Sequence, residues 1–283
     1  MNFMTVGDHH YYYTIHKCAE GILNSHPESE YYVYDWGLKD DQISKLEELK
    51  NTKVIRWNLD PPSKKESISL YLLNEWMDGS EGLIWRIKRK LLKQTPVHKY
   101  FRSRQKYLMR QKPLCIKDGL QRSSGQLVFL DADAVLISRI TEVFDQEFDV
   151  GLTLRPENKR PDDNESIGIP PINAGVIFFG SSDVDCFIDA WIKQMDDHDY
   201  ILEEQVAIAD MAKKSNKDIF NDYYNKGSLT IDNKKIDFIT FPCDKYNHYH
   251  IDEGISTDNK ILHFKGFDHT KGEYKKVLER GII

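Results

Sequence analysis

Two aspartates in "LVFLDADAVL" (Leu127 to Leu136) are the residues best placed to do chemistry. Four apolar residues run directly into Asp131, Ala132 and Asp133, and apolar residues then resume. The run reads as a buried strand. Alternate side chains of a strand share a face, so the two carboxylates point the same way if the strand continues and stay close if it stops. Carboxylates that close repel each other unless a cation sits between them. Their oxygens suit hard divalent ions, and such an ion can hold a diphosphate and neutralise charge on it. The pattern therefore points to a metal–diphosphate grip at a strand end. The plainer alternative is an Asp that caps a turn, with Asp133 solvated.

Carboxylates at a strand end need a sheet behind them. "NFMTV" reads as a strand, "YYYTIHKCAEGILNS" as a helix, "YYVYDW" as a strand, "KDDQISKLEELK" as a helix with Asp40 or Asp41 as N-cap, and "KVIRWNL" as a third strand. This β-α-β-α-β order predicts an α/β fold with a mainly parallel sheet flanked by helices, whose ligands lie at the carboxyl ends of the strands. Residues 61–124 break the rhythm as a helical, basic insertion. The sheet then resumes with "GQLVFL", "FDVGLTL" and "AGVIFF", followed by two helices, "DVDCFIDAWIKQM" and "EEQVAIADMAKK". A hairpin around "IDNKK" and a short strand "KILHF" complete the set. Between Arg155 and Pro171 lie four prolines and many charges, which read as a long loop able to act as a lid. No linker divides the chain, so a single domain over 1–283 is expected.

Bulk properties narrow the class. The 283 residues are 40% hydrophobic, which is a globular composition and not a disordered one. No apolar run reaches the roughly 20 residues of a membrane helix. The first residues lack a basic-then-apolar signal, so a soluble, cytoplasmic protein is expected, with peripheral membrane association left open. The four cysteines are scattered, which fits reduced thiols. The net charge is −6, yet from Gly82 to Lys117 there is no acidic residue and there are twelve Lys or Arg. That stretch is either a solvated helical face or a patch for phosphates, an anionic acceptor or a membrane surface. Nucleic acid is disfavoured, since no nucleic-acid motif accompanies it.

With these segments in order, the chain resembles the GT-A fold glycosyltransferases, family 8 and related nucleotide-diphospho-sugar transferases. "FLDADAVL" is similar to their metal-binding motif, "NAGVIFF" (Asn173 to Phe179) to their asparagine-led strand, and "EEQVAI" (Glu203 to Ile208) to their acidic-Gln segment. "ILHFKG" (Ile261 to Gly266) resembles their His-x-x-Gly segment, and "TVGDHHYY" their first strand and nucleotide-binding loop. The resemblance spans nearly the whole chain. It implies a metal-dependent transferase that moves a sugar from a nucleotide-sugar, a UDP-sugar by preference, to a carbohydrate or other hydroxyl acceptor, with retention. It implies Asp131, Asp133 and His263 as metal ligands, with Mn²⁺ favoured over Mg²⁺ because imidazole suits it better.

The remaining roles also follow from the resemblance. Thr5, Asp8 and Tyr11 would hold base and ribose, and Ala132 would admit the ribose. Asn173 and Ala174 would face the donor sugar, and Glu204 and Gln205 would lie beside the anomeric carbon as catalytic groups. Lys112, with Arg110 and Lys117 as rivals, would reach the diphosphate. Gly266 would let backbone approach a phosphate. The family's lysine six residues after the histidine is replaced here by His269, so Lys265 or Lys271 would take its contact. Two other classes compete. "DADAVL" also fits the nucleophile motif of haloacid-dehalogenase-type phosphatases, although three strands precede it where that motif normally opens a domain. A non-catalytic nucleotide-sugar binding protein is the third reading.

Overall fold

A computed structural model describes residues 1–59, 96–123, 125–160, 170–198, 202–265 and 272–283. The opening alternation forms as the sequence predicts: β1 (Asn2–Gly7), α1 (Tyr12–Ser25), β2 (Tyr31–Asp35), α2 (Asp40–Glu47) and β3 (Thr52–Arg56). Buried Tyr12, Ile15, Cys18, Ala19 and Ile22 recur at helical spacing on α1 and set its inner face. The start of α2 differs from expectation. Lys39 occupies the cap position, and its backbone N–H donates to Gln42 Oε1 at 3.0 Å. Asp40 and Asp41 fall inside the first turn instead, where their charge opposes the positive helix end.

The rest of the chain adds α3 (Pro96–Arg122), β4 (Leu127–Leu130), β5 (Ala134–Leu136), β6 (Val150–Leu154), β7 (Ile172–Phe179), α4 (Asp185–Met195) and α5 (Glu203–Ser215). It ends with β8 (Lys226–Ile231), β9 (Lys234–Pro242), the short α6 (Cys243–Tyr246), β10 (Ile261–His263) and α7 (Glu273–Glu279). Eight strands make one mixed sheet in the order β3-β2-β1-β4-β7-β6-β9-β8. The β3-β2-β1-β4 half is parallel, β7 runs antiparallel to both its neighbours, and β6 is parallel to β9. The β8–β9 hairpin turns through Asp232 and Asn233, both at positive φ, which matches the twist of the strands it joins.

Strand alternation divides the core in two. Met4, Phe129, Ile177 and Phe179 join α4, α5 and part of α3 on one face. Phe3, Val128, Leu130, Val176 and Phe178 join α1 and α2 on the other. A strand buried on both faces shows no apolar–polar alternation, which is why "LVFL" and "VIFF" are continuous apolar runs.

Two features bear on the site. First, β5 and β10 pair antiparallel in a separate two-stranded sheet, with His263 opposite Ala134. This sheet has its own small core of Val135, Leu262, Phe264, Tyr274 and Val277. Second, the described end of the basic insertion turns its charge inward. Arg110 pairs with Glu203 and Asp196, and Lys117 pairs with Asp189. Arg86, Lys88 and Arg89, the residues that would probe an anionic acceptor, lie outside the described residues. So do most of the Pro-rich stretch (161–169), Gly266, His269 and Lys271.

Candidate metal and sugar-nucleotide site

The strand β4 stops at Leu130, and the D-x-D segment is a turn: Ala134 N–H donates to Asp131 C=O at 2.9 Å, and β5 begins at once. Neighbouring elements hold this turn. Asp131 N–H donates to Gly175 C=O on β7 at 2.7 Å, and Phe264 N–H to Asp133 C=O at 2.9 Å. The Thr14 hydroxyl of α1 donates to Ala132 C=O at 2.6 Å. A Cβ on Gly7 would lie 2.9 Å from the Ala132 Cβ, so β1 and the turn pack without a spare methyl between them.

Because β10 pairs with β5, His263 arrives beside the carboxylates from 130 residues further along the chain. Its Nε2 lies 3.1 Å from Asp133 Oδ1 and 4.0 Å from Asp131 Oδ2. One ligand atom from each of the three residues falls within 4.8 Å of the others. Two carboxylates and one imidazole form a donor set suited to a divalent ion. Adjacent ligands of an octahedral ion with bonds of about 2.1 Å are separated by roughly 3 Å, close to the His263–Asp133 distance. Space is reserved as well. A Cβ on Gly175 would lie 2.3 Å from His263 Cε1 and 3.0 Å from Asp131 Oδ2. The three residues therefore fit a divalent ion.

Lys112 is built into this centre. It is buried, and its Nζ donates to Asp131 Oδ1 and to Ala174 C=O, each at 2.9 Å, while sitting 4.5 Å over the Phe129 ring. Asp131 is thus divided: Oδ1 faces Lys112 and Oδ2 faces His263. Arg110 and Lys117, the rival cations, are tied to α4 and α5 acids instead.

Beside Lys112 lies a buried polar wall. Asn173 Oδ1 accepts from Gly175 N–H at 3.2 Å, and Gln205 Oε1 accepts from Ala174 N–H at 3.0 Å. These bonds fix both amides with their NH₂ ends turned away from β7. Asn173 Nδ2, Gln205 Nε2 and Glu204 Oε2 are buried without a hydrogen-bond partner. Burial pushes the Glu204 carboxyl up to about 7, aided by the Asp131 charge and opposed by Lys112 and local backbone N–H groups. Buried polar atoms are costly when unpaired.

The first loop is partly at the site. Asp8 caps a single turn by accepting from His10 N–H at 2.9 Å. The Tyr11 hydroxyl is pushed well up by burial and by the charges of Asp133, Asp8 and Asp131, which places it between the loop and the D-x-D turn. Thr5 is fully buried beside Tyr31, beneath α1. On the far side, Lys265 adopts positive φ (39°), with its Nζ 3.2 Å above the Tyr249 ring, which Arg155 also approaches at 5.1 Å. Burial and Arg155 push Lys265 down to about 8, against the pull of Asp133. A cavity of about 460 Å³ lined by Pro156, Lys159, Asp244, His248, Glu253 and Asn259 lies next to this region and contains none of the three ligands.

Sequence reasoning did not single out Gly175, Thr14, Thr153 or Asn247. Gly175 alone left a signal, as a glycine inside a strand of large apolar residues. No protein-family model and no curated protein sequence matches the chain. Solved structures with a similar course include glycosyltransferases. The galactosyltransferase LgtC, in complex with donor and acceptor sugar analogs, matches at 12% identity over 99% of this chain and 95% of its own, with a TM-score of 0.44. A glycosyltransferase involved in glycosylation of the major capsid of PBCV-1 matches at 10% over 99% and 98%, with 0.46. The glycosyltransferase GlyE of Streptococcus pneumoniae TIGR4 matches at 10% over 99% of this chain and 64% of its own, with 0.48. Likeness this distant assigns no activity or substrate.

Proposed function

We propose that this chain is a GT-A glycosyltransferase similar to family 8, dependent on a divalent metal, which moves a sugar from a UDP-sugar to an acceptor hydroxyl with retention. The observation that carries the reading is the juxtaposition of the Asp131–Asp133–His263 cluster with three buried, unpartnered polar atoms on Asn173, Glu204 and Gln205. A metal centre alone suits many reactions; one flanked by donors and a carboxyl at that depth suits a diphosphate joined to a polyhydroxylated ring.

Mn²⁺ or Mg²⁺ held by the three ligands would supply Lewis-acid neutralisation of the charge on the departing diphosphate. The chain's own residues do the rest. Lys112 holds Asp131 in place and offsets its charge. The Asn173 and Gln205 amides present N–H donors to sugar oxygens, in fixed orientation, so little reorganisation accompanies the reaction. Glu204, titrating near 7, supplies a hydrogen-bond donor when protonated and negative charge near the anomeric carbon when ionised. Asp8 and Tyr11 bound the opposite side, where the nucleoside would lie. Lys265 would approach the diphosphate from above Tyr249.

The test is thermal unfolding with a panel of nucleotide-sugars, with and without Mn²⁺. A ligand at 100 times its Kd stabilises the native state by about 2.7 kcal/mol. The reading expects a rise in Tm for a UDP-sugar with Mn²⁺ and its loss on chelation. No shift with any nucleotide-sugar, or shifts indifferent to metal, would overturn it. Trapping of an aspartyl-phosphate on Asp131 would instead identify the phosphatase chemistry.

A further inference from the structure

We propose that Asn247 is a positioning residue that fixes the tautomer of His263, so that Nε2 can present its lone pair to an ion held between the two carboxylates; its importance for catalysis rests on reading those three residues as a metal centre. The argument is one of donors and acceptors. The Thr153 hydroxyl donates to Asn173 C=O at 2.6 Å, which leaves its lone pairs to accept. Asn247 Nδ2 lies 2.8 Å from that hydroxyl oxygen and 2.9 Å from the same Asn173 carbonyl. A backbone carbonyl only accepts, so both neighbours require the NH₂ end of the Asn247 amide. A flipped amide would set carbonyl against carbonyl. Asn247 Oδ1 therefore faces His263 Nδ1, 2.8 Å away. That oxygen also only accepts, so Nδ1 must carry hydrogen. In the neutral ring the other nitrogen is then bare, and it is this Nε2 that an ion between Asp133 and Asp131 would engage; without an ion, a proton on Nε2 would donate to Asp133 and leave Nδ1–H as it is.

These four residues are shielded from bulk solvent. Thr153 and Asn247 are fully buried, and Asn173 and His263 are 4% and 5% exposed. The chain of bonds crosses from β6 and β7 of the main sheet, through the residue after α6, to β10 of the small sheet. It thus ties the orientation of the third ligand to the sheet that carries the buried amides. Hydrogen-bond partners of this kind typically change metal affinity 10- to 100-fold when removed.

The experiment has two readouts. Long-range ¹H–¹⁵N correlation of the metal-free protein at pH 9, above the ordinary histidine range, reports which nitrogen of His263 is protonated. Mn²⁺ titration followed by electron paramagnetic resonance reports affinity. Wild type should show Nδ1–H. Asn247→Leu should yield a mixture of tautomers and about 10- to 100-fold weaker Mn²⁺ binding. Asn247→Asp keeps an acceptor for Nδ1–H but sets its second oxygen against the Asn173 carbonyl, so it should lose stability and retain the tautomer. A merely structural role would make both variants follow stability alone, and that result would overturn the proposal. So would a bare Nδ1 in the wild type, which needs no variant to fold. Nδ1–H in a wild type that binds no Mn²⁺ would support the tautomer and overturn the metal reading instead.

Discussion

Among the described residues, two groups could hold a metal by composition and proximity: Asp131, Asp133 and His263, and the consecutive Asp8, His9 and His10. Their differences show what makes a site. The second group is local. Asp8 serves as the cap of a short turn, His9 Nδ1 lies 3.2 Å from Gly37 C=O, and His10 is exposed with its ring tilted against that of His9. Its closeness follows from adjacency in the chain. The first group is assembled from a turn and a distant strand, is mostly buried, and has each member held from outside: Asp131 by Lys112, His263 by Asn247, and the turn by Thr14 and Gly175. Holding carboxylates together is unfavourable without a counter-charge; Lys112 supplies part of it to Asp131, and the proposed ion would supply the rest.

Substitutions can break this contrast. The largest effect is expected for Asp133→Ala, which should abolish Mn²⁺ binding and lower sugar transfer by roughly 10³-fold, since Lewis-acid stabilisation is worth several kcal/mol. Transfer assays with Mn²⁺ at saturating UDP-sugar measure it; a near-normal rate would remove the metal centre from the mechanism. Next is Gly175→Ala. The new methyl would meet His263 Cε1 at 2.3 Å, so the ring must move. Metal affinity should fall at least about tenfold, and stability by about 1–3 kcal/mol as for other overpacked sites. Mn²⁺ titration and urea unfolding test the two parts.

A third effect is confined to pH. Glu204 is raised from its ordinary 4.5 to about 7, chiefly by burial. The folded state then binds its proton more tightly than the unfolded state, so stability falls as pH rises from about 4.5 to about 7 and is level beyond that. Glu204→Gln should remove this slope, making the variant more stable than wild type at pH 8, by at most on the order of 3 kcal/mol, and nearly equal to it at pH 4. Urea unfolding at both values measures it, and parallel curves at the two pH values would show that Glu204 is not perturbed. The smallest effect is expected for the double change His9→Ala and His10→Ala, which should leave the Mn²⁺ stoichiometry at the main site unaltered; a lost equivalent of metal in equilibrium dialysis would make the local cluster a real site.

Some of this centre was legible in the chain. Continuous apolar runs ending in Asp131 and Asp133 announced a strand end with paired carboxylates. Lys112 stood out only as one of many cations, and nothing local distinguished it from Arg110 or Lys117; burial against Phe129 and Asp131 did. Asp40 and Asp41 suggested a cap by type, but Gln42 meets the exposed N–H of Lys39 and the helix begins one residue earlier. The resemblance implied Thr5 as a base or ribose contact; β1 buries it beside Tyr31. Asn247, in "KYNHYH", is indistinguishable by sequence from a solvated asparagine, because its meaning depends on Thr153 and Asn173.

What the amino-acid order alone determined is periodic and short-range: the alternating strands and helices, the apolar runs buried on both faces, the hairpin, and two acids that had to sit close together. These follow from spacing, which each segment carries by itself. Only the tertiary structure decided that β5 and β10 pair, that His263 therefore stands beside Asp133, and that one amide can face only one way between its neighbours. Such facts join residues far apart in the chain, where pairing and the matching of donors to acceptors exist only once the backbone has closed.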